Sequence, residues 1–403
     1  MSDFVIRLVE DGEFRPAYDV FAASLHRKPA SDEKWQYSQR IHEPGRVFGA
    51  YVDGRPVGVV VTFASSLALP GGRVEPFAAV TSVGVRADHT RRGVLTELMR
   101  AQLASAAAAG DVFAGLHASE GVIYGRYGYG AATTSRQLRI QTRRAEVRPE
   151  VPRGGEVRLV DADEALSLLP GLYERMLGGR PGMMGRPPGW WSIAYERRLR
   201  CEDQMLVAVH TGPDGADGFM LYTPTVDDQS GWDLDATLAV LDLHAANPLA
   251  RNDLWRFVLG VDLVREVAAF LRPMDEPVEA MLIDQRVLKA EVEDEIWLRL
   301  VDVPAALAAR SYGDAEPVVL EVRDPLLPAN SGRYLISPQG TERTGEPADL
   351  AMDVDVLAMA YLGGTRLSAL AEVGRVDVTE PAALARADRL FATDVAACCG
   401  TMF

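Results

Sequence analysis

Ala78-Ala79-Val80-Thr81-Ser82-Val83-Gly84-Val85, a polar link from Arg86 to Thr90, and then Arg91-Arg92-Gly93-Val94-Leu95-Thr96 form the stretch whose reading decides the fold. The apolar run has strand character, and from Leu95 to Ala109 apolar residues recur at helical spacing, so the arginines and the glycine stand where a helix begins. Free amides and the positive end of the helix dipole meet at such a start and favour an anion. Arg91 and Arg92 add charge suited to bidentate contacts with phosphate oxygens. A pyrophosphate fits this turn. Taken alone, two arginines and a glycine read equally well as solvated residues ahead of a helix.

The surrounding chain narrows the choice of phosphate ligand. It holds no G-x-x-x-x-G-K-[ST] loop for a nucleoside triphosphate and no G-x-G-x-x-G opening a βαβ unit for a dinucleotide, which leaves coenzyme A as the natural candidate. After the helix, Val112 to His117 reads as another strand. Ser119-Glu120-Gly121 then opens a segment ending Ile123-Tyr124-Gly125-Arg126-Tyr127-Gly128-Tyr129.

This succession of strand, arginine-glycine turn, helix, strand and aromatic-glycine ending resembles the GCN5-related N-acetyltransferases. The resemblance implies that backbone groups at Val83, Gly84 and Val85 hold the pantetheine arm of acetyl-CoA. It implies further that Arg91, Arg92, Gly93, Val94, Leu95 and Thr96 form the pyrophosphate turn, flanked by Ser119 and Glu120, and that Tyr124, followed by Gly128 and Tyr129, protonates the departing thiolate. The usual family turn reads Gln/Arg-x-x-Gly-x-Gly/Ala; here Thr90 and Leu95 occupy its first and last places, and only the central glycine is kept. That departure points to one subgroup. The run His117 to Gly130 and the ending Asp388 to Phe403 resemble the Eis (enhanced intracellular survival) family over essentially the whole length. Members of that family acetylate amines of aminoglycosides, often at several positions, and some act on lysine or polyamine-like amines.

The chemistry asks for such residues. An amine attacks a thioester carbonyl, an oxyanion forms and a thiolate leaves; a phenol with a reference pKa of about 10 is still protonated at neutral pH and can donate to it. Amides near Val83 and Val85 suit the oxyanion. A single tyrosine at Tyr124 reads otherwise as a half-buried core residue with a satisfied hydroxyl.

The chain has 403 residues, too many for one hydrophobic core, with 48% apolar and 25% charged residues, an ordinary globular composition. No stretch has the apolar length of a membrane span, and Met1 to Phe14 carries acidic residues where a signal peptide would be basic and then apolar, so a cytoplasmic protein is expected. Cys201, Cys398 and Cys399 make a poor disulfide framework and, without C-x-x-C or H-E-x-x-H spacing, no metal is expected. His117 is the one histidine placed near the site, ending a strand beside Ser119; a strand-end core histidine is the better reading than a base. Residues 1–150 hold 19 Lys+Arg against 16 Asp+Glu, and residues 151–403 hold 23 against 41. Acid outside the coenzyme region attracts polycationic amines and repels nucleic acid, although solubility alone explains such charge equally well.

Punctuation sets the domain limits. Arg143 to Gly155 mixes charge, proline and glycine, which places a boundary near residue 150. Gly178 to Gly189 reads as a surface excursion before a helix at Trp190-Trp191. Thr237 to His244, a loop through Asn247-Pro248 and a helical Asp253 to Leu263 repeat the first layout without its arginine-glycine turn, and Pro248 removes an amide. From Glu291 strands at Ile296–Val301, Val318–Val322 and Tyr334–Ser337 precede helical patterns at Val354–Leu362, Leu367–Glu372 and Ala382–Phe391, similar to a sterol-carrier-protein-like domain. The fold class expected is therefore mixed α/β (α+β). It comprises an acetyl-CoA-binding acetyltransferase domain over residues 1–150, a degenerate acetyltransferase-like domain over 151–290 and a sterol-carrier-protein-2-like domain over 291–403.

Beyond a helix expected to end near Ala397, Cys398-Cys399-Gly400-Thr401-Met402-Phe403 closes on apolar and aromatic side chains. A terminus ordinarily frays. The Eis resemblance implies instead that the carboxylate of Phe403 enters the active site and takes a proton from the substrate ammonium. An α-carboxyl with a reference pKa of about 3.5 needs burial or a water chain for that task. The resemblance also implies that Trp35 lines an amine-binding channel, where it reads equally as packing an early helix, and that the chain forms a homohexamer. In place of the acidic residue that the family often carries ahead of this tryptophan stands Ser24-Leu25-His26-Arg27-Lys28. The expected function is acetyl-CoA-dependent N-acetylation of primary amines on aminoglycoside-like polyamines. Protein lysine or polyamine acetylation, and a lipid carrier with an inactive coenzyme site, are the alternatives.

Overall fold

A computed structural model of the protein describes residues 3–201, 204–226 and 236–403. Among these residues the strands form two seven-stranded sheets and one five-stranded sheet. The first sheet runs in the order Val5–Leu8, Val47–Val52, Arg55–Ala68, Val74–Val85, Phe113–His117, Ile296–Leu300, Gly130–Ala131. The second runs Leu288–Asp294, Thr134–Gln141, Val264–Arg272, Ala236–Ala245, Gly215–Val226, Leu206–Gly212, Glu156–Val160. The third is built from Gly340–Arg343, Gly332–Ser337, Val318–Arg323, Leu350–Asp353 and Val376–Val378.

The first two sheets share one plan. In each, a single parallel pair is joined by a helix: Val74–Val85 and Phe113–His117 by Val94–Ala109, and Ala236–Ala245 and Val264–Arg272 by Pro248–Leu259. A parallel pair needs such a crossover, and the apolar face of the helix covers the sheet. Val94, Leu98, Met99, Leu103 and Ala106 form that face on the first helix. A Cβ on Gly58 of the neighbouring strand would lie 2.9 Å from Val94 and 3.0 Å from Leu98, so this glycine allows the close seat. Helix Pro248–Leu259 starts earlier and stops sooner than its apolar spacing suggests, because Asn247 caps it through the Ala250 amide at 2.9 Å with Pro248 in the first position, and Gly260 ends it.

The expected cuts near residues 150 and 290 do not coincide with sheet membership. Thr134–Gln141 lies in the second sheet, paired with Val264–Arg272 and Leu288–Asp294. Ile296–Leu300, expected in the third unit, completes the first sheet between Phe113–His117 and Gly130–Ala131. The proline- and glycine-rich stretch 143–155 is thus a connection between two strands of one sheet. A single buried cluster takes in Phe63, Phe77 and Phe113 of the first sheet, Phe219 and Leu221 of the second, and Leu320, Ile336 and Met352 of the third. Arg299, fully buried, donates from Nη2 to both carboxylate oxygens of Asp324 at 2.8 and 2.7 Å, which fastens the third unit to the first sheet.

Two further expectations are corrected. The stretch from Gly178 is not a surface excursion throughout: Gly182, Met183, Met184, Gly185 and Arg186 are buried, and Met184 bridges Leu67 of the first sheet. Its glycines let the backbone approach closely, since a Cβ on Gly182 would stand 3.2 Å from the Cys398 backbone. The last helix ends at Phe391, not near Ala397, and the following residues continue as irregular chain that is buried from Ala397 to Thr401.

Candidate active site

The parallel strands Val74–Val85 and Phe113–His117 pair only from Phe77/Phe113 to Ala79/Gly115 and then separate. Beyond that point Ser82 adopts φ 49°, and the register against Arg55–Ala68 shifts between Val59 and Val61. Gly84 and Val85 therefore keep one strand neighbour, Val83 lies in the bulge, and the other edge of this segment has no strand partner and faces the gap, the condition for holding an amide-rich arm. A Cβ on Gly84 would stand 2.8 Å from the backbone of Phe21, so helix Phe14–Ser24 closes the cleft wall against this glycine.

The turn expected for pyrophosphate lies at the same end of the sheet. Arg91 has φ 61° and Gly93 φ 85°, and helix Val94–Ala109 begins without a side-chain cap, so the amides of Val94, Leu95 and Thr96 are free for an anion. Arg91 and Arg92 are exposed. The Thr96 hydroxyl lies 3.3 Å from that of Tyr127, linking the turn to the aromatic segment. An extended amide edge, an uncapped helix start and two arginines fit coenzyme A.

Tyr124 ends the short helix Gly121–Tyr124 and is 4% exposed. Burial pushes its phenol up to about 12, opposed by a hydrogen bond with Ser119. The hydroxyl is thus a proton donor across the physiological range. Ser119 and Glu120 are exposed in the loop between strand Phe113–His117 and this helix.

The last residues of the chain are docked. The buried Glu295 carboxylate accepts the amides of Cys399 and Gly400 at 2.9 and 2.7 Å and the Thr133 hydroxyl at 2.8 Å. Arg186 donates to the Thr401 hydroxyl from Nε and Nη2 at 3.1 and 3.0 Å, while its other contacts make a bidentate pair with Asp242 at 2.7 and 3.1 Å. The guanidinium stands 3.9 Å from the Tyr173 ring centroid and 4.2 Å from that of Trp190. Burial opposes the charge on Asp242, but Arg186 and His244 hold its carboxyl well below the usual range. Trp190 Nε1 donates to the Met402 carbonyl and His117 Nε2 to that of Thr401, each at 2.9 Å. A carbonyl only accepts, so His117 carries its proton on Nε2, and burial lowers its pKa. The Phe403 ring stands edge-on to Phe63, Phe77 and His117 with centroids 6.1, 6.1 and 5.0 Å away. Phe77 is where the parallel strands begin to pair and His117 is where the second of them ends, so the terminus lies beside the cleft.

Trp35 does not join this group. Its ring packs against Tyr18 and His42, each at 5.5 Å, where helix Asp32–Ser38 meets helix Phe14–Ser24. Arg186, Glu295, Trp190, Asp242 and His244 escaped sequence reasoning. One signal was present: Asp242 and His244 are two apart in an apolar strand and so share a face, which calls for a buried polar partner.

Comparisons with known proteins accord with this geometry. Models of the acetyltransferase (GNAT) domain match residues 5–132 and 182–300, and a sterol carrier protein domain model matches residues 303–400. The chain is 40% identical to an uncharacterised N-acetyltransferase of Streptomyces coelicolor, over 95% of this chain and 96% of that one. It is 34% identical to the N-acetyltransferase Eis of Mycobacterium tuberculosis, over 86% of each. The crystal structure of Eis1 from Mycobacterium abscessus superposes with a TM-score of 0.89 at 38% identity, covering 99% of this chain and 100% of that one. With its two acetyltransferase units, its sterol-carrier-like third unit and these relatives, the chain belongs to the Eis family of GCN5-related N-acetyltransferases.

Proposed function

We propose that the protein transfers the acetyl group of acetyl-CoA to primary amines of polycationic, aminoglycoside-like acceptors, at several positions on one molecule. The observation that carries this reading is the docked terminus, which six hydrogen bonds from Glu295, Arg186, His117 and Trp190 hold beside the cleft. In this mechanism the amides at Val83 and Val85 hold the pantetheine arm and the thioester oxygen, and the turn Arg91 to Thr96 holds the phosphates. The carboxylate of Phe403 takes the proton of the substrate ammonium and frees the amine for attack, and the Tyr124 phenol gives its proton to the departing sulfur. The acyl donor supplies the activated carbonyl. The acidic composition of residues 151–403 draws polycations to this face. A homohexamer is proposed on the resemblance and is checked by sedimentation.

The lipid-carrier alternative is less well supported, because the sheet face that would hold an acyl chain is packed by the chain's own residues. Leu320, Ile336 and Met352 are buried in one cluster with Leu357, Tyr361 and Phe391. Thiol release from acetyl-CoA in the presence of kanamycin, spermidine and a lysine peptide decides the acceptor. Turnover with kanamycin at several amines is expected. Turnover confined to the peptide or spermidine assigns one of the narrower activities, and no turnover with any of them rejects the reading.

A further inference from the structure

The second unit repeats the gap of the first. Ala236–Ala245 and Val264–Arg272 pair only from Ala236/Val264 to Val240/Ala269, and past that point the strands part around a cavity of about 430 Å³. It lies where the coenzyme cleft lies in the first unit, in front of the start of helix Pro248–Leu259. Its backbone cradle is largely spent: Pro248 has no amide, Asn247 takes the Ala250 amide with its side chain, and the Arg251 amide bonds the Asn247 carbonyl at 3.3 Å. Four arginines line the cavity instead, namely Arg175, Arg180, Arg251 and Arg272.

Two of these are committed. Arg272 donates to the carbonyls of Leu243, Phe270 and Leu271, and Arg180 pairs with Asp275 and reaches the Ala396 carbonyl. Among the described residues the other two face no carboxylate: the exposed Arg175 meets the carbonyls of Gly171 and Ala216, and the half-buried Arg251 has no side-chain partner, its Nε shielded from solvent and without an acceptor. The one acid in the lining, Glu276, is held by Trp255 Nε1 at 3.0 Å beside Arg272. Two guanidinium groups without a carboxylate among the described residues, one of them with a shielded Nε that has no acceptor, converge on one cavity and suit an anion. The opposite wall is the tail itself, Cys398, Cys399 and Gly400, with His244 beneath it.

We propose that this cavity binds a small organic polyanion, bearing phosphate or carboxylate groups, between Arg175 and Arg251, and that the bound ligand steadies the tail segment against which it lies. A ligand that meets the tail only in its docked position favours that position by linkage.

Calorimetry with pyrophosphate and with citrate tests the site on the full chain. It is done in an Arg91→Gln/Arg92→Gln background, which silences the phosphate turn of the first unit. Saturable binding is expected, weakened roughly tenfold or more by adding Arg175→Gln and Arg251→Gln. The better of the two ligands tells phosphate from carboxylate. Hydrogen exchange at the Cys399 and Gly400 amides is expected to slow when the ligand is bound. Absence of binding up to about 10 mM ligand at low ionic strength, or equal binding after the two substitutions, overturns the site. Unchanged exchange with the ligand bound overturns its action on the tail. Neither measurement contains an amine acceptor, so both stand apart from the role proposed for the Phe403 carboxylate.

Discussion

Tyr124 and His117 show how burial, as the largest influence on each, sets a residue's chemistry. With its phenol pushed up to about 12, Tyr124 stays protonated through any practical assay, so the alkaline limb of a rate profile belongs to another group. Tyr124→Phe keeps the packed ring and removes only the proton; a fall in kcat of about 10² to 10⁴ is expected, with the circular dichroism spectrum unchanged. Parental turnover by this variant would remove Tyr124 from the mechanism. Desolvation lowers the His117 pKa in the folded chain against the opposing pull of Glu295 and the Thr401 carbonyl, whereas in the unfolded chain it protonates below a pH of about 6.5. The unfolded form thus binds more protons, and stability that is full above that pH declines as the solution is acidified. The Tm is expected to drop between pH 7.5 and 5.5, and His117→Gln, which keeps an N–H for the Thr401 carbonyl but does not titrate, narrows the drop. An equal drop in both would move the titration elsewhere.

The terminal segment behaves as an element although it has no regular structure, because its amides are satisfied by a buried carboxylate where a helix or sheet would use carbonyls. Glu295→Gln keeps the shape but substitutes an amide for the double acceptor, a cost of about 1–3 kcal/mol at this site. Carboxypeptidase should then remove Phe403 from the variant much faster than from the parent; equal rates would mean that the tail is held by its apolar side chains alone. Arg186→Ala strands Asp242 in the core and should cost about 3–5 kcal/mol in denaturant unfolding. Much of this was legible in the sequence where local rules act. The strand and helix on either side of Gly93 and the repeated strand-loop-helix of the second unit follow from periodicity and helix-start chemistry, whereas Tyr124 was singled out only by the family resemblance. Arg186 and Glu295 did not, since one sits in a proline-glycine stretch and the other in the acidic run Glu291 to Glu295, and only tertiary contact distinguishes them from solvated neighbours. The partner strands of Thr134–Gln141 and Ile296–Leu300 were hidden for the same reason, as alternation tells that a strand exists and not which sheet receives it.

At the scale of the molecule, the three units are bound by exchange. A fragment of residues 1–132 ends before the strand that pairs with Phe113–His117, so it presents a bare apolar edge. It is expected to elute as soluble aggregates in size exclusion, whereas residues 1–300 retain both seven-stranded sheets and elute as a folded species. A monomeric, cooperatively unfolding 1–132 fragment would contradict this. The fragment 1–300 leaves Arg299 without Asp324 and lacks the tail, so reduced stability and no acetyl transfer are expected of it. The same exchange has a consequence for biosynthesis. Translation delivers six of the seven strands of the first sheet long before Ile296–Leu300 leaves the ribosome, and the nascent protein must wait through the whole central portion of the message with that seam open. Recovery of the folded protein is therefore expected to depend on how that open edge is shielded until its partner strand emerges.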